Sequence, residues 1–472
     1  MKRKDKSTLN SHPLATVVSL GCAKNLVDSE TLTAQLVNLG YRLSADPSRS
    51  AVIVVNTCGF LESAVSEAVE TILDLSRHKR SGSCRLLVAT GCMVQRYGKK
   101  LPDLLPEVDF FLGTSHYHDL EKILGTHDSG DLGPLFISRP KQFIEPAAAR
   151  LRSTPFYSAY LKIADGCDNR CSFCMIPGLR GPYRSRSAKA ILEEAALLGR
   201  EGVVEINLIA QDITAFGADR GETHALPRLL GALEQIEGVQ WIRLLYAYPG
   251  RISESLLDTM ARSEKIVPYL DIPLQHCAPD ILREMHREES IPDVERIVDS
   301  IRTVVPDIAL RTSLMVGFPG ETEANFRKLV DFVERSRFEH LGVFAFSPEA
   351  GSRAARLPGR IEESVKEERR NTLLAVQKSI SRTLLARLVG KTIPVLVEGP
   401  HPETELLLAA RLPSQAPEVD GTVIITSGNG ESGAIVSCRI TAAHDYDVEG
   451  ELLEAGEMRE SAPRAGEDSA GP

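Results

Sequence analysis

Ala159-Tyr-Leu-Lys-Ile-Ala-Asp-Gly-Cys-Asp-Asn-Arg-Cys-Ser-Phe-Cys174 runs an apolar, strand-like segment straight into a loop with three cysteines. From residue 158 onward a strand followed by a helix recurs six times, with strands expected at 159–163, 203–209, 241–246, 267–272, 309–316 and 341–346. Helical patterns lie between them, for example at 188–198, 254–261, 293–304 and 323–333. This alternation implies a parallel sheet covered by helices. Six units fall short of the eight that close a barrel, so an open, partial (β/α)6 barrel is expected. Its first strand would end at the cysteine loop. A long charged helix from 361 to about 388 leads out of it.

The loop holds Cys167, Cys171 and Cys174, separated by three and two residues. A cubane has four irons, so three thiolates leave one iron free for a small chelating molecule. The amino and carboxylate groups of S-adenosylmethionine (SAM) suit that position. One-electron reduction would then cleave its sulfonium bond and release a carbon radical. Zinc is the competing reading, but structural zinc takes four Cys or His ligands, and no fourth stands at matching spacing.

Upstream, residues 14–125 alternate in the same way, with strands expected at 16–20, 51–55, 85–89 and, more weakly, 108–112. Helical periodicity covers 26–39, 63–75 and 120–124. A doubly wound parallel sheet follows, and ligands bind such sheets at the carboxyl ends of their strands. Cys22, Cys58 and Cys92 each fall just past a strand end and can therefore meet. Three scattered cysteines can equally be buried packing residues; their shared sheet edge favours a second metal site. Cys84, Cys277 and Cys438 join neither trio and read as packing.

Downstream, short strands are expected at 393–397, 406–410, 423–426, 435–440 and 446–448, a small antiparallel β-barrel of the oligonucleotide-binding kind. The organisation expected is an N-terminal domain over 14–128, a linker over 129–152, a barrel core over 153–388, a small barrel over 390–456 and a disordered tail over 457–472. The third domain carries three basic residues against eleven acidic ones between 391 and 455. That charge repels phosphates and attracts a basic partner; solubility alone is the plainer explanation.

The 472 residues carry a net charge of −9, and no run approaches the ~18 apolar residues of a membrane span. A basic start without an apolar stretch after it argues against secretion, so a cytoplasmic protein is expected. Nine cysteines in such a protein point to metal chemistry rather than disulfides.

At the barrel mouth, Gln211 and Asp212 end the second strand, Arg243 lies on the third, and Gln275 and His276 follow the fourth. Gln211, Asp212, Arg243 and Gln275 are candidates to bind SAM, or they are satisfied polar residues at a loop mouth; His276 reads equally as structural. The basic stretch Arg180-Gly-Pro-Tyr-Arg-Ser-Arg186 faces an anionic substrate, SAM's carboxylate or only solvent. Gly317-Phe-Pro-Gly-Glu-Thr322 reads as a tight turn opening a helix.

With these residues in view, the chain resembles the radical SAM methylthiotransferases, and within them the branch acting on an aspartate of small-subunit ribosomal protein S-twelve. The resemblance spans about residues 17–453. It rests on Val18-Ser-Leu-Gly-Cys-Ala-Lys-Asn-Leu-Val-Asp-Ser-Glu30, Asn56-Thr-Cys-Gly-Phe60, Thr90-Gly-Cys92, Leu270-Asp-Ile-Pro-Leu-Gln-His276 and Val316-Gly-Phe-Pro-Gly-Glu-Thr322. Gln415-Ala-Pro-Glu-Val-Asp-Gly421 and His444-Asp-Tyr-Asp-Val-Glu-Gly450 resemble its third domain, called TRAM. Ala23 stands where proline is common in the family, and Phe346 where tyrosine is; neither is a cysteine of the trios. The resemblance implies methylthiolation of an aspartate β-carbon. It also implies two 4Fe-4S clusters, an auxiliary one on Cys22, Cys58 and Cys92 and a SAM-cleaving one on Cys167, Cys171 and Cys174. SAM would serve as methyl donor and radical source, and the protein substrate could be free or within the ribosomal subunit. It names no electron donor and no sulfur donor. The branch that modifies adenosine in tRNA is the alternative; it typically places Gln and Met around the first cysteine, and the acidic third domain also argues against it.

Overall fold

The computed structural model describes residues 12–126, 133–140, 150–287 and 293–453; the expected disordered tail lies outside them. Its first sheet has strands β1 (Leu14–Ser19), β2 (Arg42–Leu43), β3 (Val52–Thr57), β4 (Leu86–Gly91), β5 (Phe110–Leu112) and β6 (Leu135–Phe136). They stand in the order β2-β1-β3-β4-β5-β6, every pair parallel. β3 and β4 are buried at every position, as strands covered on both faces must be. One core lies under helix α1 (Ala23–Asn38), the other under α2 (Glu62–Ser76).

Two features depart from the sequence expectation. The stretch assigned to a linker contributes β6 to this sheet, through pairs of Phe111 with Leu135 and Leu112 with Phe136. Arg150, at its far end, pairs with Glu30 of α1 and, at 2.7 Å, with Glu194. The edge strand β2, two residues long, has no periodicity to read.

The second sheet comprises β7 (Ser158–Lys162), β8 (Glu205–Ile209), β9 (Trp241–Leu244), β10 (Ile266–Asp271), β11 (Ala309–Val316) and β12 (His340–Ala345), in sequential order, parallel and open. Alternation sorts the side chains. Leu161, Ile206, Leu208, Ile242, Leu244 and Leu270 pack outward on helices. Tyr160, Ile209, Trp241 and Tyr269 face the lumen, where Val27 of α1 and Leu396 and Ala416 of the third domain meet them. All three domains therefore close on one interior.

The third domain is a closed barrel of β13 (Thr392–His401), β14 (Thr404–Arg411), β15 (Val423–Ser427), β16 (Ile435–Ala443) and β17 (Val448–Leu452), in the order β13-β14-β15-β17-β16. It is not wholly antiparallel: β15 and β17 run parallel, because β17 returns beside β15 instead of turning back on β16 alone. Its seam with the open barrel is ionic. Glu205 pairs with Arg243 at 3.1 Å and with Arg411 at 2.6 Å, and Arg243 Nη1 donates to Pro413 O at 2.6 Å. Nearby, Tyr269 Oη donates to Asp420 at 2.8 Å, and Asp420 also pairs with Arg311 and His340. A cleft of about 990 Å³ opens at the N-terminal ends of β11 and β12, lined by His340, Leu385 and Pro413; no cysteine lines it. Among the described residues no helix is long and apolar enough to cross a membrane.

Candidate metal centres

The ladder between β3 and β4 places Thr57 opposite Gly91, so the next residue on each strand, Cys58 and Cys92, comes off the sheet at the same level. Cys22 precedes the first turn of α1, three residues past the end of β1. Asn25 ties these chain segments together. Its Nδ2 donates to Leu20 O at 2.9 Å and to Thr57 O at 3.0 Å, and Asn56 Nδ2 returns a bond to Asn25 O at 2.9 Å. Gly21 sits at φ +92, and a Cβ there would lie 2.8 Å from Cys58 Cβ. Only glycine lets the two thiol-bearing turns approach so closely.

The second trio follows β7. Gly166, at φ +80, turns the chain where a Cβ would lie 2.0 Å from Pro182 O. Cys167 N donates to Gly181 O at 3.1 Å and Cys174 N to Cys171 O at 3.1 Å, while Ile176 N reaches Cys174 Sγ at 3.4 Å. Arg287, buried, donates to Cys171 Sγ at 3.5 Å. Asn169 and Arg251 brace the loop through Asp212 at 3.2 and 2.6 Å.

All six thiols are free. Burial pushes Cys92 and Cys167 up to about 11 and Cys174 up to about 12. A thiolate at such a position needs a cation to stabilise it, and a metal held by these cysteines would supply one. Cys22 differs: desolvation opposes its ionisation, but the charges of Lys24 and Arg180 and two backbone N–H groups outweigh it and lower the thiol. Among the described residues no three His, Cys, Asp or Glu side chains converge tightly enough to hold a single ion. Three cysteines at a site leave one iron of a cubane without a protein ligand, whereas structural zinc takes four Cys or His.

The basic stretch after Cys174 faces neither solvent nor an open substrate site. Arg180, Arg184 and Arg186 are all buried. Arg180 crosses into the first domain, where Nε donates to Cys92 Sγ at 3.3 Å and Nη1 to Asp28 at 2.6 Å. Arg184 pairs with Asp165 at 3.6 Å and Arg186 with Glu194 at 2.6 Å. Asn25 and Asp28 lie in the opening motif, which gives them no role, and Arg287 lies in none; only their contacts reveal what they do.

The four candidate SAM ligands divide. Arg243 is fully buried in the seam with Glu205 and stacks on Tyr269, so its expected role at the mouth is corrected to a structural one: its guanidinium is taken up by Glu205 and by Pro413 O of the third domain. Asp212 is engaged by Thr214, Asn169 and Arg251 and braces the cluster loop. Gln211 donates to Asp165 at 3.0 Å, and its Oε1 is buried without a partner among the described residues. Gln275 has φ +73 and bridges Leu314 by its backbone alone. His276 is fully buried; its Nδ1 accepts from Ala278 N at 2.9 Å and its Nε2 lies 3.6 Å from Glu321. Cys84 and Cys438 lie in hydrophobic cores and Cys277 packs on one, all away from the trios.

Three family descriptions match consecutive parts of the chain: Uncharacterized protein family UPF0004 over residues 15–113, the Radical SAM superfamily over 161–333 and the TRAM domain over 389–453. The ribosomal protein uS12 methylthiotransferase RimO of Syntrophobacter fumaroxidans is 60% identical over 93% of this chain and 99% of its own length. The relative of the same name from Geobacter sulfurreducens is 46% identical over 94% and 99%. The chain belongs to the RimO family. Membership of the Radical SAM superfamily brings a 4Fe-4S cluster and SAM with it. Among solved structures, the radical SAM methyltransferase TsrM of Kitasatospora setae superposes with a TM-score of 0.54 at 15% identity, covering 71% of this chain and 73% of that one. That likeness concerns the fold. Within the RimO family frame, the first domain, the open barrel and the closed barrel correspond to the three matched regions in order.

Proposed function

We propose that this chain is a cytoplasmic radical SAM methylthiotransferase that places a methylthio group on the β-carbon of an aspartate in small-subunit ribosomal protein uS12, using two 4Fe-4S clusters. The observation that carries the reading is the pair of three-cysteine sites at strand ends of adjoining domains, joined by Arg180, in a chain alike over nearly its whole length to proteins of that name. Cys167, Cys171 and Cys174 hold one cluster and Cys22, Cys58 and Cys92 the other. When bound, the barrel cluster with SAM supplies the carbon radical that can take hydrogen from a carbon too weakly acidic for a general base.

The chain's own residues bind and orient. Asp212, Asn169 and Arg251 hold the cysteine loop against the barrel mouth. Gln211 keeps a buried acceptor without a partner among the described residues, and Gln275 has its backbone hydrogen-bonded to Ser313 and Met315; these two are the proposed SAM contacts. Lys24, two residues past Cys22, lies with Nζ 3.1 Å from the centroid of the Tyr246 ring and carries a cation from the first domain to the end of β9. The third domain presents exposed Glu403, Glu405, Glu418 and Glu431 to a basic partner.

Mass spectrometry of uS12 and of tRNA from cells lacking this chain tests the reading. The expected result is loss of the methylthio group from uS12 with the tRNA unchanged. Loss from tRNA alone would assign the chain to adenosine modification instead.

A further inference from the structure

We infer that Arg180 sets the reduction potential of the cluster held by Cys22, Cys58 and Cys92, an inference that rests on the ligand assignment proposed above. Arg180 is 2% exposed and reaches Cys92 from the other domain, across 88 positions of sequence. Every arm of the guanidinium is engaged: Nε donates to Cys92 Sγ at 3.3 Å, Nη1 to Asp28 at 2.6 Å and Nη2 to Asn25 Oδ1.

Arg180 shares Asp28 with Lys162 and Asp165 with Arg184, so neither carboxylate is its own alone. Its Nε is turned instead to the sulfur of Cys92, and a buried guanidinium is better compensated when that sulfur is an anionic ligand. Tyr117, whose buried hydroxyl has no partner among the described residues, feels the same charges.

Reduction adds a negative charge to the cluster. An N–H···S bond and an adjacent cation in a dry site both stabilise the more negative state, and hydrogen bonds to sulfur and net charge are what set such potentials. Arg180 therefore raises the potential. The contact also crosses the domain seam, so the auxiliary site reaches its working potential only when the barrel is docked on it. Cys171 has its own arginine, Arg287, so the barrel site is not subject to this contact.

The test uses the full chain with Cys167, Cys171 and Cys174 changed to Ala, leaving only the auxiliary cluster, in a redox titration followed by electron paramagnetic resonance. Arg180→Gln is expected to lower the reduced-to-oxidised ratio at fixed potential by tenfold or more, about 59 mV for one electron. Arg180→Lys keeps the charge and loses the planar fork, and should fall between. Asp28→Asn removes a negative charge and should move the potential up. A cluster present in both Arg180 variants with an unchanged potential overturns the inference and leaves the ligand assignment standing. No cluster in the parent with the barrel trio removed overturns the assignment and the inference with it. If the Arg180 variants fail to hold a cluster, Asp28→Asn decides: an upward shift supports the tuning, and no shift overturns it.

Discussion

At the scale of single residues, the six candidate cysteines were visible in the sequence, but the side chains that govern them were not. Cys167, Cys171 and Cys174 announce themselves by spacing, because one loop supplies all three. Cys22, Cys58 and Cys92 needed the inference that parallel strands share an edge, and the register of Thr57 with Gly91 shows how that edge is built. The two trios separate experimentally. Cys171→Ala should abolish formation of 5′-deoxyadenosine from SAM plus reductant, while iron analysis still finds the auxiliary cluster. Cys58→Ala should leave that cleavage intact and stop methylthio insertion, read by mass spectrometry of uS12. Gly21→Ala is a subtler probe. Its methyl would press on Cys58 Cβ from 2.8 Å at a φ of +92, so iron content should fall toward that of the barrel cluster alone, with SAM cleavage retained.

At the scale of elements, helices and strands were legible wherever an apolar period ran for a whole strand or several helical turns. The strand at Ala309–Val316 and the long helix Glu363–Ala386 were read within a few residues of their observed ends. Two-residue strands such as Arg42–Leu43 and Leu135–Phe136 were not, because they are held by pairing with a neighbour and carry no pattern of their own. Arg243 shows the same limit. Its type and place on a barrel strand suggest a ligand; Glu205 and the carbonyl of Pro413 hold it in the seam instead. There, burial opposes ionisation of Glu205, and Arg411 and Arg243 outweigh it, holding the carboxyl far below the usual range. A depressed carboxylate contributes stability that is complete above its unfolded pKa of about 4.3 and is lost as pH falls through the folded value. Glu205→Gln, which takes the carboxylate partner from buried Arg243 and leaves Arg411 with Glu398 alone, should cost about 3–5 kcal/mol at neutral pH by chemical denaturation. The gap between variant and parent should narrow as the pH is taken below about 4.

At the scale of the whole molecule, the third domain's acidic surplus divides between two tasks. Asp420 pairs with Arg311 and His340 of the large barrel and so holds the small barrel on it, while Glu398 braces Arg411 within the small barrel. Glu403, Glu405, Glu418 and Glu431 remain exposed. Reversing these four to Lys should weaken and slow association with uS12, flatten its salt dependence, and leave thermal stability nearly unchanged. Asp420→Asn should do the opposite, lowering the melting temperature with little effect on the salt dependence of association.

The amino-acid sequence by itself determined the three domains, the two cysteine trios and the family, because periodicity, spacing and motif are properties of neighbours along the chain. The tertiary structure alone decided which charges serve the sites. Arg180 and Cys92, or Glu205 and Arg411, lie far apart in sequence and become partners only when sheets and helices bury them together. Burial is the physical reason: in water each of these groups would be satisfied by solvent, and only its removal forces a buried charge to find a counter-charge in the fold.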